Sequence, residues 1–279
     1  MVPTITLNDQ TQIPQLGFGT YLVPPEQTAE IVDQALQIGY RHIDTAQMYG
    51  NEEGVGAAIA ASGIAREELY VTSKLNTGDH RPDNVRRSFD ETLAKLGLEQ
   101  LDLFLIHWPL PTLYGGDYVS TWKAVSGLVA DGRLRTAGVS NFQPDHLERI
   151  IGETGVVPAV NQIEVHPYFR NEEARAASAR HGIAVEAWGP LGQGNVLDDE
   201  VIAGIAAQRG RTSAQIILRW HIQRGDIVFP KSMRRQRMQE NFQLFDFELS
   251  ADEVKAIDAL DRGAEGRVGP HPDTFAYLP

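Results

Sequence analysis

Cysteine is absent from the chain, which excludes disulfides, thiol nucleophiles and any zinc centre built on thiolates. Basic residues are in deficit, with 25 Lys and Arg against 37 Asp and Glu and a formal charge of −12 at pH 7. A surface of that sign repels phosphate backbones and anionic headgroups, so neither nucleic acid nor a membrane is expected as a partner. No apolar run has the length a bilayer crossing needs. The opening Val2-Pro3-Thr4-Ile5-Thr6-Leu7 lacks a basic region leading into an apolar core, so a cytoplasmic protein is expected. Linkers and low-complexity tracts are missing too, and the 279 residues are expected to fold as one domain, because barrels of this length are routinely single units.

What the chain does contain is a repeating grammar of amphipathic helix, glycine and short apolar run. Ile31, Val32, Ala35 and Leu36 make one helical stripe before Gly39, and Val85, Phe89, Leu93 and Leu96 make another before Gly97. Gly39, Gly63, Gly97, Gly132, Gly155, Gly182 and Gly225 each stand where a helix would end in a left-handed residue, and a candidate strand follows each. Those strands fall near residues 16–20, 40–44, 69–74, 101–107, 136–140, 159–164, 183–188 and 227–231. Helix-length crossovers imply parallel pairing, so the α/β pattern predicts a closed (β/α)8 TIM barrel. An N-terminal hairpin, residues 4–7 and 12–15 joined through Asn8-Asp9, precedes it. Residues 109–118 and 191–210 interrupt the rhythm as insertions, and a tail from Gly263 is too rich in Gly and Pro for a helix. Insertions and tail together could cover one face of the barrel.

Functional groups of such barrels gather at the carboxyl ends of the strands. Those ends carry Asp44 with Tyr49 just beyond it, Lys74, and His107. Asn51-Glu52-Glu53 reads as the capped start of a helix, which leaves Tyr49 on the connection. Each residue alone admits a bland reading: a loop cap, a packed phenol with a wet tip, a solvated strand end, a satisfied core histidine. Together they make a proton-transfer set. A buried lysine needs a carboxylate partner, Asp44 supplies one, and an ammonium beside the Tyr49 hydroxyl favours its ionisation. His107 could orient a carbonyl from the other side. His42 and Asp44 share strand parity, as a pair of metal ligands would, but no second pair of His or carboxylate residues at strand ends completes a site, and no metal is expected. His166, before Pro167, reads as a loop residue.

The runs Gly39-Tyr40-Arg41-His42-Ile43-Asp44-Thr45-Ala46, Tyr49-Gly50-Asn51-Glu52, His107-Trp108-Pro109, Gly138-Val139-Ser140-Asn141-Phe142, Asn161-Gln162-Ile163-Glu164 and Pro230-Lys231-Ser232 resemble the aldo-keto reductase family. Within it the chain is most similar to bacterial 2,5-diketo-D-gluconate reductases. The resemblance implies reduction of a small-molecule carbonyl by a nicotinamide cofactor in a monomer, with Tyr49 as general acid, Lys74 and Asp44 tuning it, and His107 placing the carbonyl. It assigns Ser140, Asn141 and Gln162 to the nicotinamide carboxamide, and an indole such as Trp188 can stack on a flat ring. Gly189, Leu191 and Gly192 lie in a glycine-rich run where backbone can approach a pyrophosphate.

Lys231, Arg234, Arg235 and Arg237 put four cations into seven residues of an acidic chain. From charge alone that could be a solvated helix face. With Ser232, and with the family pattern continuing to Glu240 and Asn241, it implies a site for the 2′-phosphate and adenine of NADPH/NADP+. Tyr21, Tyr49, His107 and Trp108 are expected to line the substrate pocket. After Lys74, Leu75-Asn76-Thr77-Gly78-Asp79 lacks the tryptophan common in diketogluconate reductases, which predicts a wider pocket. A cofactor-binding regulatory protein of the same fold with little turnover is the rival reading, and the intact quartet of Asp44, Tyr49, Lys74 and His107 argues against it.

Overall fold

The computed structural model describes residues 2–279. Eight parallel strands follow one another in chain order: Phe18–Gly19, His42–Asp44, Tyr70–Leu75, Leu101–Ile106, Leu134–Ser140, Val160–Glu164, Ala184–Trp188 and Ile227–Val228. The eighth meets the first through a parallel bridge between Leu16 and Val228, where the Gly17 N–H donates to the Val228 carbonyl at 2.7 Å. The expected (β/α)8 barrel is therefore present. The antiparallel hairpin Thr4–Thr6 with Gln12–Pro14 sits at the amino end, where Leu7 and Ile13 pack on Tyr70, Leu103, Val160 and Ile227.

Helices coat the barrel as the apolar stripes require. Pro25–Ile38 buries Ile31, Val32, Ala35 and Leu36, and Pro82–Leu96 buries Val85, Phe89, Leu93 and Leu96. Each large aliphatic or aromatic side chain so buried contributes about 1.5–3 kcal/mol. All seven punctuating glycines take positive φ, the conformation that stops a helix with no Cβ penalty.

Several boundaries differ from expectation. The first strand shrinks to Phe18–Gly19, because the Val23 N–H bonds back to the Thr20 carbonyl at 3.0 Å and turns the chain. The eighth keeps only Ile227–Val228; Pro230, with no N–H, cannot extend the ladder. The second begins at His42, and Tyr40 instead sends its hydroxyl to the Met238 carbonyl at 3.0 Å. Half of the interruption at 191–210 is a helix, Glu200–Arg209, started by Asp199 accepting from the Val201 and Ile202 N–H groups. Asn51 precedes the helix Glu52–Ala61 but does not cap it. Its Nδ2 donates to the Thr20 and Val23 carbonyls, tying the loop after the first strand to the loop after the second.

The tail makes one short 3-10 turn, Gly263–Gly266, and then crosses the carboxyl face. Asp273 reaches His146 Nε2 at 3.5 Å, and the Phe275 ring stacks on Trp108 at 4.1 Å. Among the described residues no helix is long and apolar enough to cross a membrane.

Candidate active site

Asp44 ends the second strand, Lys74 lies one residue before the end of the third, and His107 follows the fourth. Tyr49 closes the 3-10 turn Gln47–Tyr49. That turn is fixed by Gln47, whose Nε2 donates to the Ser88 carbonyl at 2.7 Å and Thr92 Oγ1 at 2.8 Å. Its Oε1 accepts the Asn76 N–H at 2.6 Å, so the phenol is held to the end of the third strand.

The four side chains converge. Lys74 Nζ donates to Asp44 Oδ1 at 2.7 Å and to the Thr45 carbonyl at 2.9 Å, and lies 3.3 Å from the Tyr49 hydroxyl. Tyr49 and His107 rings meet edge to face at 5.8 Å. Lys74 is fully buried and Asp44 nearly so. Burial alone would pull the ammonium down, but Asp44 and Tyr49 outweigh it and the Lys74 pKa is raised. Enclosure pushes Tyr49 up to about 12, with Lys74 acting in the opposite sense. The net shift is thus upward, against the expectation of easier ionisation, because desolvation of a phenolate exceeds the pull of one ammonium already shared with Asp44. Tyr49 holds its proton at neutral pH. Burial, then the charge of Lys74, holds His107 well below the usual histidine range, so its ring is neutral and its Nδ1 has no hydrogen-bond partner.

Residues at the ends of strands five to seven adjoin this quartet. Asn141 takes a left-handed backbone, φ 65°. Its Nδ2 donates to the His107 carbonyl at 2.9 Å and its Oδ1 accepts from Trp188 Nε1 at 2.8 Å. The Ser140 hydroxyl donates to the Gln162 carbonyl at 2.8 Å. Gln162 gives both amide hydrogens away, to Asp44 Oδ2 and Glu186 Oε2, each at 2.8 Å, leaving Oε1 as an acceptor. Tyr21 is half-exposed beside Tyr49, with rings 5.1 Å apart. Trp108 is reached from the other side, its face covered by Phe275. Beyond Lys74, the Tyr114 hydroxyl donates to the Thr77 carbonyl at 2.8 Å and its ring stacks on His80.

Glu164, at the end of the sixth strand, holds the tail. Its Oε1 accepts the Val268 N–H at 2.6 Å and His166 Nε2 at 3.1 Å, and its Oε2 accepts the Gly269 N–H at 3.0 Å. Only glycine fits at 269, where a Cβ would fall 2.4 Å from Trp188 Cη2. His166, expected in a loop, is thus a buried part of this clasp. A buried donor left unpaired costs about 1–3 kcal/mol. Glu164→Ala is therefore expected to speed exchange of the Val268 and Gly269 amide hydrogens about tenfold or more, measured by hydrogen–deuterium exchange.

A cavity of about 540 Å³ opens beyond the eighth strand. Leu191, Lys231, Ser232, Arg234, Arg237, Glu240 and Asn241 line it together. Arg235 does not join them; it turns away to Gln37 Oε1 at 3.1 Å. Leu197, Asp198, Thr212, Ser213, Ala214 and Met233, none of which carries a sequence signal for a cofactor, complete the wall. Thr212 caps the helix Ser213–Gln223 in a capping box with Gln215, a signal visible in the sequence but 19 residues from Lys231. Gly189 and Gly192, with φ of 59° and 53°, carry the chain from Trp188 to this cavity.

A parallel barrel with a buried Lys–Asp pair against one phenol at its carboxyl mouth, and a cationic cavity alongside, defines a class of carbonyl oxidoreductases. The model of the Aldo/keto reductase family matches residues 15–262, and the chain belongs to that family. It is 50% identical to an aldo-keto reductase of Mycolicibacterium smegmatis over 99% of both chains. It is 46% identical to the methylglyoxal reductase DkgA of Yersinia pestis, over 99% of this chain and 98% of that one. A crystal structure of a mutant of Gox0644 in complex with NADPH superposes with a TM-score of 0.95 at 44% identity, covering 99% of this chain and all of the other.

Proposed function

We propose that the chain reduces an aldehyde or ketone to the alcohol with NADPH, Tyr49 donating the proton. The observation that carries this reading is the Lys74 ammonium set between Asp44 at 2.7 Å and the Tyr49 hydroxyl at 3.3 Å. A bound NADPH supplies a hydride to the carbonyl carbon. Negative charge then grows on the carbonyl oxygen, and Tyr49 neutralises it by handing over its proton while Lys74 stabilises the phenolate left behind. Asp44 keeps Lys74 charged and aimed. The neutral His107 ring lies beside Tyr49 to hold the carbonyl oxygen by a hydrogen bond.

The residues present fit NADPH. Trp188 offers an indole face fixed by Asn141, and Gln162 keeps one unused acceptor oxygen, the partner a carboxamide N–H needs. Lys231, Arg234 and Arg237 line the cavity beyond the eighth strand with Ser232, and the acids of that lining are Asp198 and Glu240. That donor set suits a phosphate dianion. A charge-assisted hydrogen bond is worth about 1.5–3 kcal/mol. Arg234→Ala and Arg237→Ala are therefore each expected to weaken NADPH about ten- to a hundredfold in fluorescence titration while NADH affinity stays within about twofold. Equal losses for the two nucleotides would remove the phosphate from this cavity.

For the substrate, the DkgA relatives named methylglyoxal reductases and the resemblance to diketogluconate reductases point together to small dicarbonyls, including keto-sugar acids such as 2,5-diketo-D-gluconate. The aromatic mouth of Tyr21, Tyr49 and Trp108 suits a planar carbonyl. The test is NADPH consumption with methylglyoxal, 2,5-diketo-D-gluconate and simple aldehydes. Turnover of the dicarbonyls above the simple aldehydes supports the reading. Tight NADPH binding without turnover of any carbonyl would favour a cofactor-binding regulatory protein instead.

A further inference from the structure

Glu186 lies on the seventh strand, two residues before Trp188, with its side chain fully buried inside the barrel. Nothing in the proton transfer from Tyr49 uses it. Its Oε2 accepts one hydrogen of the Gln162 amide at 2.8 Å, while Asp44 Oδ2 accepts the other at the same distance. Two carboxyl groups therefore meet at one nitrogen, and of these two the Lys74 ammonium bonds Asp44 and not Glu186. Glu186 Oε1 has no partner at all. The His42 ring nitrogen Nε2 is 3.7 Å from that oxygen and is already 3.1 Å from Thr72 Oγ1.

We infer that Glu186 is a positioning residue of this site: its neutral carboxyl group holds the Gln162 amide in one orientation and leaves Asp44 as the sole counter-ion of Lys74. The inference rests on the NADPH reading above and deepens it. With both amide hydrogens committed to carboxyl groups, Gln162 cannot flip, and the face it turns to the cofactor is always its carbonyl oxygen. An ionised Glu186 would be a second, unpaired charge in a fully buried position, and groups so placed neutralise.

The groups facing it are Gln162 from the sixth strand, His42 and Asp44 from the second, and Lys74 and Tyr70 from the third; the eighth strand sets Ile227 opposite it. Burial first, then the Asp44 charge, raises the Glu186 pKa from 4.5 to about 8. Burial lowers His42 to about 3, so it brings no compensating charge. Between pH 4.5 and about 8 the folded chain thus retains a proton that the unfolded chain has released. Stability contributed by that proton falls as pH rises through this window and levels off above it.

The experiment compares wild type, Glu186→Gln and Glu186→Leu. Glutamine copies the shape and neutrality of the protonated acid; leucine removes the acceptor. In the cofactor-free chain, the melting temperature of wild type relative to Glu186→Gln is expected to drop by about 5 °C or more from pH 5 to pH 8. NADPH affinity at pH 7 is expected to weaken about tenfold in Glu186→Leu, with glutamine restoring most of it. Parallel melting profiles for wild type and Glu186→Gln, or wild-type NADPH affinity in a folded Glu186→Leu, would overturn the assignment. Neither readout depends on carbonyl turnover, so its failure and that of the proposed reaction are separable.

Discussion

Lys74→Met is expected to lower the free energy of unfolding by about 3–5 kcal/mol at pH 7, the cost of leaving one member of a buried ion pair behind. Asp44, almost fully buried, would keep only Gln162 as a side-chain donor. Methionine matches the lysine stem, so the loss is chiefly electrostatic rather than a cavity effect. The double variant Asp44→Leu, Lys74→Met should recover much of the stability, because an apolar pair of similar volume carries no desolvation penalty. Urea denaturation of the three variants measures both effects. A loss below about 1 kcal/mol would mean that the pair behaves as an exposed one.

Tyr49→Phe is expected to lower kcat for carbonyl reduction about 10²- to 10⁴-fold, the usual contribution of a positioned general acid. The ring contacts with Tyr21 and His107 survive the change, so NADPH affinity should hold. The same hydroxyl dictates a pH dependence. With its pKa raised to about 12, Tyr49 is protonated throughout the neutral range, and reduction should not lose this proton donor until strongly alkaline pH. Oxidation of the alcohol needs the phenolate and should quicken as pH rises. A steady-state profile in both directions checks the sign.

The barrel was legible because its punctuation is physical: glycines at helix ends and apolar stripes at helical spacing survive without knowledge of the partner elements. The first and last strands were overdrawn because pairing across the closure depends on residues more than 200 positions apart, Leu16 with Val228. The helix Glu200–Arg209 was overlooked because its buried face is only Ile202, Ile205 and Ala206, with Gly204 between them. Asp44, Tyr49, Lys74 and His107 stood out since ionisable groups at successive strand ends are unlike a packed core. Glu186 did not stand out, although its parity with Trp188 turns both into the barrel. What makes it unusual is a shared partner, Gln162, and a missing cation, neither of which a linear reading displays. The tail clasp was hidden for the same reason, since Glu164 meets Val268 and Gly269 across more than 100 residues.

Whether Tyr49 is the proton donor is decided by following hydride transfer through a single turnover. Enzyme pre-loaded with NADPH, wild type beside Tyr49→Phe, is mixed rapidly with methylglyoxal and the loss of nicotinamide absorbance recorded, with NADPH binding measured on the same samples. The account predicts a fast transient in the wild type that slows at least about a hundredfold in Tyr49→Phe, with both proteins equally saturated by cofactor. Equal transients in the two would contradict it and take the proton-donor role away from Tyr49.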